Sequence, residues 1–150
     1  MEPMIKIALR AARKAGENIV RASDELHRFE VKAKGVNNFV TEVDLNAEQE
    51  IIYQLQKAYP DHAILGEESG FIGREDAEYR WIIDPLDGTT NFIRGIPHYA
   101  VSIACMYRGK LEHAVIVDPV RQEEFTASRG RGAQLNGHRI RVSDLANLEG

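Results

Sequence analysis

Two aspartates, a glycine and two threonines close an apolar run in Trp81-Ile82-Ile83-Asp84-Pro85-Leu86-Asp87-Gly88-Thr89-Thr90-Asn91-Phe92. Carboxylates as close in sequence as Asp84 and Asp87 can share one or two hard cations through oxygen ligands. Pro85 fixes the backbone between them, and Gly88 permits a turn that a side chain would block. The backbone N–H groups of Gly88, Thr89 and Thr90 come next and can face an anion, above all where a short helix begins. Carboxylates, cation and N–H groups at one turn point to metal-assisted phosphate chemistry. An Asx-type turn punctuated by Pro and Gly is the plain alternative. It accounts for a turn, but not for paired acids and hydroxyls beside a strand that reads as buried.

The elements that must position this turn are legible as a pattern. Ile5, Leu9, Ala12, Ala15 and Ile19 recur at helical spacing, so residues 4–22 are predicted as an amphipathic helix. Its Lys6, Arg10, Arg13, Lys14 and Arg21 make a solvated face rather than a nucleic-acid face. Residues 30–38 are polar and read as a mobile loop. A second helix follows with the apolar stripe Ile51, Ile52, Leu55 and Ala58, and Thr41-x-x-Asp44 resembles a capping box at its start. Tyr59-Pro60-Asp61 stops it. Residues 63–66 form a short strand that runs into Glu67-Glu68-Ser69-Gly70, and residues 71–78 read as a charged, flexible loop. Strands are predicted over 99–107, 111–117 and 123–128, and Asn136-Gly137 signals a hairpin with residues 139–142 returning. Cys105 falls in a strand as a small core residue, His98 is assigned to structure, and Arg129-Gly130-Arg131-Gly132 is a bend rather than an RNA-binding tract. The pattern gives an α+β chain.

Composition bounds the function classes. The 150 residues suffice for one domain with a substantial core, and 43% hydrophobic with 28% charged residues is ordinary for a globular protein. A net charge of −4 leaves no electrostatic footprint for nucleic acid or an anionic membrane, so phosphate has to be neutralised locally. No apolar run spans a bilayer, and Met1-Glu2-Pro3-Met4 lacks the features of a signal peptide. The single cysteine rules out an internal disulfide and a Cys-based zinc cluster. A cytoplasmic protein is expected.

Haloacid-dehalogenase-type phosphatases also end an apolar strand in Asp-x-Asp-x-Thr, but here Asp87 comes one residue too late and follows a proline. The run Asp84-Pro85-Leu86-Asp87-Gly88-Thr89-Thr90-Asn91-Phe92 instead resembles, almost residue for residue, the signature of the inositol monophosphatase family, nearest its bacterial extragenic-suppressor branch. That resemblance implies two helices packed on a largely antiparallel sheet, the N-terminal half of an α/β/α/β/α layered sugar-phosphatase fold, with residues 1–150 as its metal- and phosphate-binding half. It implies Mg²⁺ held by Glu67, Asp84, the Leu86 carbonyl and Asp87. Glu67 and Thr89 are implied to align the attacking water, with Asp44 behind Thr89, and the N–H groups of Gly88 and Thr89 to hold the phosphate. Glu68 is a supporting residue by position. A lysine near the metals matches Lys34 best and Lys32 next.

The implied activity is lithium-sensitive, Mg²⁺-dependent hydrolysis of myo-inositol monophosphate, a small phosphomonoester, by a homodimer without membrane or direct nucleic-acid contact. Fructose-1,6-bisphosphatase and nucleotide 3′-phosphatase activities share the signature. A third reading is a regulatory partner of the transcription machinery. Family members continue well beyond this length and carry a Trp-Asp-x-Ala-Ala-Gly-like motif whose aspartate completes the second metal site. The only tryptophan here, Trp81, is followed by Ile82. The expectation is therefore a fragment or truncation that binds metal weakly, turns over little and leaves an apolar sheet face uncovered.

Overall fold

The computed structural model describes residues 2–28 and 33–148, with side-chain placement for residues 2–27 and 35–148. Two long helices, α1 (Pro3–Arg28) and α2 (Ala33–Ala58), lie on one face of an eight-stranded sheet. The strands are β1 (Ala63–Gly66), β2 (Gly70–Ile72), β3 (Tyr79–Asp87), β4 (Ala100–Tyr107), β5 (Lys110–Asp118), β6 (Glu123–Ser128), β7 (Ala133–Leu135) and β8 (His138–Ile140), in the order β2-β1-β3-β4-β5-β6-β7-β8. A single-turn helix, α3 (Thr89–Arg94), joins β3 to the strand that follows. Every pairing is antiparallel except β1 with β3. The α+β expectation of two helices on a largely antiparallel sheet holds.

Alternation along the central strands sends Ile64, Trp81, Ile83, Val101, Ile103, Cys105, Val115 and Val117 toward the helices, where all are buried. From α1 they meet Ala8, Ala11, Ala12 and Ala15, whose small side chains let the helix approach the sheet closely, with Leu9 among them and Ile5 and Ile19 at either end of the stripe. Burial pushes the Cys105 thiol up to about 12, as suits a core residue. The opposite sheet face has no helix against it among the described residues. Leu65, Phe71, Ile82, Ile116 and Phe125 line it with a third or more of their surface open.

Two predicted segments come out differently. The connector over 30–38 is helical from Ala33 onward, so Thr41 sits inside α2 and donates its hydroxyl to the Asn37 carbonyl at 2.9 Å. The capping-box assignment of Thr41 and Asp44 is therefore wrong. Gly35, Asn37 and Asn38 are poor helix formers. Val36, Phe39, Val40 and Val43, however, extend the apolar stripe of α2 back along the core, and packing outweighs propensity. The predicted loop over 71–78 begins instead with the edge strand β2, paired to β1 through Ile64–Ile72 and Leu65–Phe71. The remaining strands and the Asn136-Gly137 turn fall where periodicity puts them, although α1 runs to Arg28 and β8 stops at Ile140.

At the sheet end where β1 and β3 begin, His62 lies between the rings of Tyr59 and Tyr79, both at 4.6 Å, and its Nδ1 accepts the Trp81 indole N–H at 3.0 Å. Burial lowers the pKa of His62, partly offset by Asp61. A base with a lowered folded-state pKa contributes its full stability above its unfolded pKa and loses it as pH falls through the folded value. The stability difference between the protein and His62→Gln should therefore narrow from pH 7.5 to pH 5. Urea denaturation of both at each pH measures it, and a constant difference would contradict a neutral, Trp81-bonded His62.

Candidate active site

The parallel pairing of β1 with β3 sets the site. Its register ends at Gly66 opposite Ile83, so Glu67, just past the end of β1, comes beside Asp84, which stays paired to Ser102 within β3. Ligand groups collect beyond the carboxyl ends of parallel strands for this reason. The β3–β4 ladder then shifts register between Asp84 and Asp87, which places Pro85 and Leu86 in a bulge. Pro85 lacks an N–H to donate, and beyond Gly66 it has no β1 neighbour to receive one. A bulge re-aims side chains next to it, and here it separates the partly buried Asp84 from the exposed Asp87.

Gly88 closes the turn with φ 101° and caps α3. A Cβ there would stand 3.0 Å from the His98 carbonyl and 3.1 Å from the Tyr99 Cα, so sterics and backbone conformation both demand glycine. The predicted short helix does begin at Thr89. Phe92 anchors it in the core, the Asn91 side chain donates to the His98 carbonyl at 2.8 Å, and the Thr89 hydroxyl donates to the Leu86 carbonyl at 3.3 Å.

α2 brings the third carboxylate. Asp44 lies well inside the helix and faces Glu67, Glu68, Asp84 and Glu48, whose charges, after desolvation, push its carboxyl up to about 7. Glu67 and Asp84 also lie above the ordinary carboxylate range, first through desolvation and then through charge: Asp84 raises Glu67, and Asp87 raises Asp84. Glu67 and Asp84 lie close enough that each perturbs the other's titration. The Leu86 N–H also supports the Asp84 carboxylate.

Asp44 Oδ1 and Asp84 Oδ1 are buried without a hydrogen-bond partner. Orphaned buried carboxylate oxygens are costly and rare, and a ligand that supplies positive charge satisfies them. The donors at the turn are all oxygens, which suits Mg²⁺ better than zinc. Among the described residues no three His, Cys, Asp or Glu side chains are drawn together tightly enough to hold an ion as they stand. The residue types fit the metal, and closure of the carboxylates on it is still required.

The site residues named from sequence are thus distributed unevenly. Glu67, Asp84 and Asp44 converge, while Asp87, Gly88 and Thr89 follow on the adjoining turn. The Thr89 hydroxyl bonds to Leu86 rather than to Asp44. Lys32 and the Lys34 side chain lie outside the described residues. His98 contributes its carbonyl to structure, as assigned. Glu48 was missed. It is fully buried and accepts the N–H groups of Glu68 and Ser69 and the Ser69 hydroxyl. Its signal was an acid on the apolar stripe of α2, four residues after Asp44.

With this geometry in view, the model of the inositol monophosphatase family matches residues 1–150. The chain belongs to the inositol monophosphatase family. Among curated relatives it is 64% identical to the Nus factor SuhB of Pseudomonas aeruginosa and 53% identical to the Nus factor SuhB of Escherichia coli. In both cases all of this chain and 56% of the relative are covered, so the chain spans about half the length of the curated relatives it matches. Among solved structures, the extragenic suppressor protein suhB of Bartonella henselae superposes with a TM-score of 0.88 at 42% identity, covering 99% of this chain and 58% of that one. The inositol monophosphatase of Anabaena superposes with a TM-score of 0.77 at 35% identity, covering 95% and 50%. Among the described residues no helix of this family member is long and apolar enough to cross a membrane.

The raised Asp44 carboxyl has a testable sign. A carboxyl whose folded pKa exceeds its unfolded value costs stability when ionised, fully above about pH 7, and the cost disappears as pH falls through the folded pKa toward the unfolded one. Asp44→Asn should stabilise the metal-free protein at pH 8 by on the order of 1 kcal/mol, after discounting for solvent at a half-open site. The gain should fade toward pH 4. Thermal melts across this range measure it, and a destabilised variant at pH 8 would refute the electrostatic assignment.

Proposed function

We propose that this chain carries the metal- and phosphate-binding part of a Mg²⁺-dependent phosphatase that hydrolyses small phosphomonoesters, with myo-inositol monophosphate as substrate class. The observation that carries the reading is the convergence of Glu67, Asp84 and Asp44, with buried oxygens of Asp44 and Asp84 unpartnered, at the end of the one parallel strand pair. Glu67, Asp84, the Leu86 carbonyl and Asp87 would hold Mg²⁺. When bound, the metal supplies positive charge to the phosphoryl oxygens and makes water a competent nucleophile near neutral pH.

The protein's own groups do the rest. Glu67 orients water and accepts its proton at a carboxylate oxygen. The Thr89 hydroxyl, released from Leu86, helps align the same water, and Asp44 stands behind it as acceptor. The N–H groups of Gly88 and Thr89 face the phosphate at the start of α3. The buried walls formed by Pro85, Leu86 and Phe92 keep these groups in place.

A second reading has its own support. The relatives in Pseudomonas aeruginosa and Escherichia coli are named Nus factors, which favours contact with the transcription machinery. The two readings separate on one substitution. The chain joined to the remaining C-terminal sequence of the Pseudomonas aeruginosa relative should release phosphate from myo-inositol 1-phosphate with Mg²⁺ and not with EDTA. Asp84→Asn should lower that turnover by about two to three orders of magnitude, the usual cost of losing a positioned electrostatic group. Mg²⁺-independent turnover, or full activity in Asp84→Asn, would overturn the catalytic reading. A cellular role that survives Asp84→Asn would establish the regulatory one beside it.

A further inference from the structure

Glu48 is a fully buried carboxylate to which the scheme above gives no role. Its oxygens accept the Glu68 N–H at 3.0 and 3.2 Å, the Ser69 N–H at 2.6 Å and the Ser69 hydroxyl at 2.6 Å. On the other side of Glu67, a Cβ at Gly66 would stand 2.8 to 3.0 Å from the same carboxylate. One acid side chain thus engages both neighbours of Glu67. It holds the two residues after it by hydrogen bonds and sits against the bare backbone of the residue before it.

We infer that Glu48 is a positioning residue, a buried clamp that fixes the turn 66–69 against α2 so that Glu67 projects toward Asp84. The inference rests on the reading of Glu67 and Asp84 as cation ligands, and it assigns Glu48 and Gly66 as a matched pair. A merely structural buried acid could satisfy any loop. This one satisfies the loop that carries Glu67, from the same helix that carries Asp44 one turn earlier. α2 is therefore a rigid ruler that sets Asp44 and Glu67 relative to each other, and the clamp transmits that spacing to the turn. Gln in place of Glu48 keeps the volume but turns an NH₂ toward N–H and O–H donors, so at least one loses its acceptor. Hydrogen-bonded supports of ligating carboxylates are commonly worth 10- to 100-fold in metal affinity.

The test uses Mn²⁺ as probe, with binding followed by calorimetry and the turn followed by amide hydrogen exchange. Glu48→Gln should weaken Mn²⁺ binding about 10- to 100-fold and deprotect the Glu68 and Ser69 amides selectively. Gly66→Ala should do the same. The double variant Gly66→Ala/Glu48→Asp, in which the carboxylate withdraws by one methylene, should recover part of both losses, a non-additivity expected only of residues in contact. If Glu48→Gln does not fold, Gly66→Ala and the double variant supply the same readouts. Loss of amide protection with unchanged Mn²⁺ affinity would overturn the inference, as would unchanged protection. Absence of Mn²⁺ binding in the unsubstituted protein would instead overturn the cation reading, and the exchange data alone would then decide whether the clamp exists.

Discussion

Mutual repulsion among carboxylates at one end of the sheet is the constraint on which the arrangement depends. Two like charges about 4 Å apart cost roughly 4 kcal/mol at the effective dielectric near a protein surface; Asp44 feels the charges of Glu67 and Asp84, and Glu67 feels that of Asp84. No spontaneous packing gathers such groups. Rigid elements do so: the parallel pairing that ends at Gly66 and Ile83, the bulge through Pro85 and Leu86, and the long helix beneath. Desolvation first, and neighbouring charges after it, lift the three carboxyls above their ordinary range. A divalent cation at this turn would offset both effects and satisfy the two orphaned oxygens. Stability is sacrificed locally for a preorganised charge, and the core of Trp81, Phe92, Ile51 and Leu55 sustains the loss.

The supports are backbone devices more than side-chain contacts. Gly88 lets the chain turn where the His98 carbonyl and Tyr99 leave no room for a Cβ, so the N–H groups after Asp87 are fixed by sterics. Phe92 then anchors the short helix from the far side. The Glu67 turn is held by its own N–H groups. These backbone anchors leave Asp84 Oδ1, like Asp44 Oδ1 on the helix, buried without a protein partner.

The central run was legible because its meaning is local. Asp84 through Thr89 owe their arrangement to Pro85 and Gly88, whose preferences are visible in any context, and the sheet strands follow from simple alternation. What stayed hidden was tertiary. Residues 33–38 carry Gly and Asn and look like a loop, yet the spacing of Val36, Phe39, Val40 and Val43 against the core makes them helix. The edge strand Gly70–Ile72 is too short to alternate and exists only because β1 offers it a partner. The pairing of β1 with β3 joins strands separated by a hairpin strand and a charged loop, so nothing local announces that Glu67 meets Asp84. Glu48 was visible as an acid on an apolar stripe, but its partners lie twenty residues away.

The backward extension of α2 changes what Asp44 is. At a helix start, a carboxylate gains from unsatisfied N–H groups and the positive end of the dipole, which hold its pKa down. Within the helix, beyond the first turns that Ala33 begins, that support has faded and the backbone N–H groups are already bonded. Asp44 is therefore desolvated beside the charges of Glu67 and Asp84 with nothing from its own helix to offset either, and its carboxyl rises to about 7. Glu48, one turn later on the same helix, has its oxygens taken up by the Glu68 and Ser69 donors. Two acids four residues apart thus take opposite roles. One is saturated and rigid, the other unsatisfied and responsive to whatever positive charge enters, and the helix between them makes the second as precisely placed as the first.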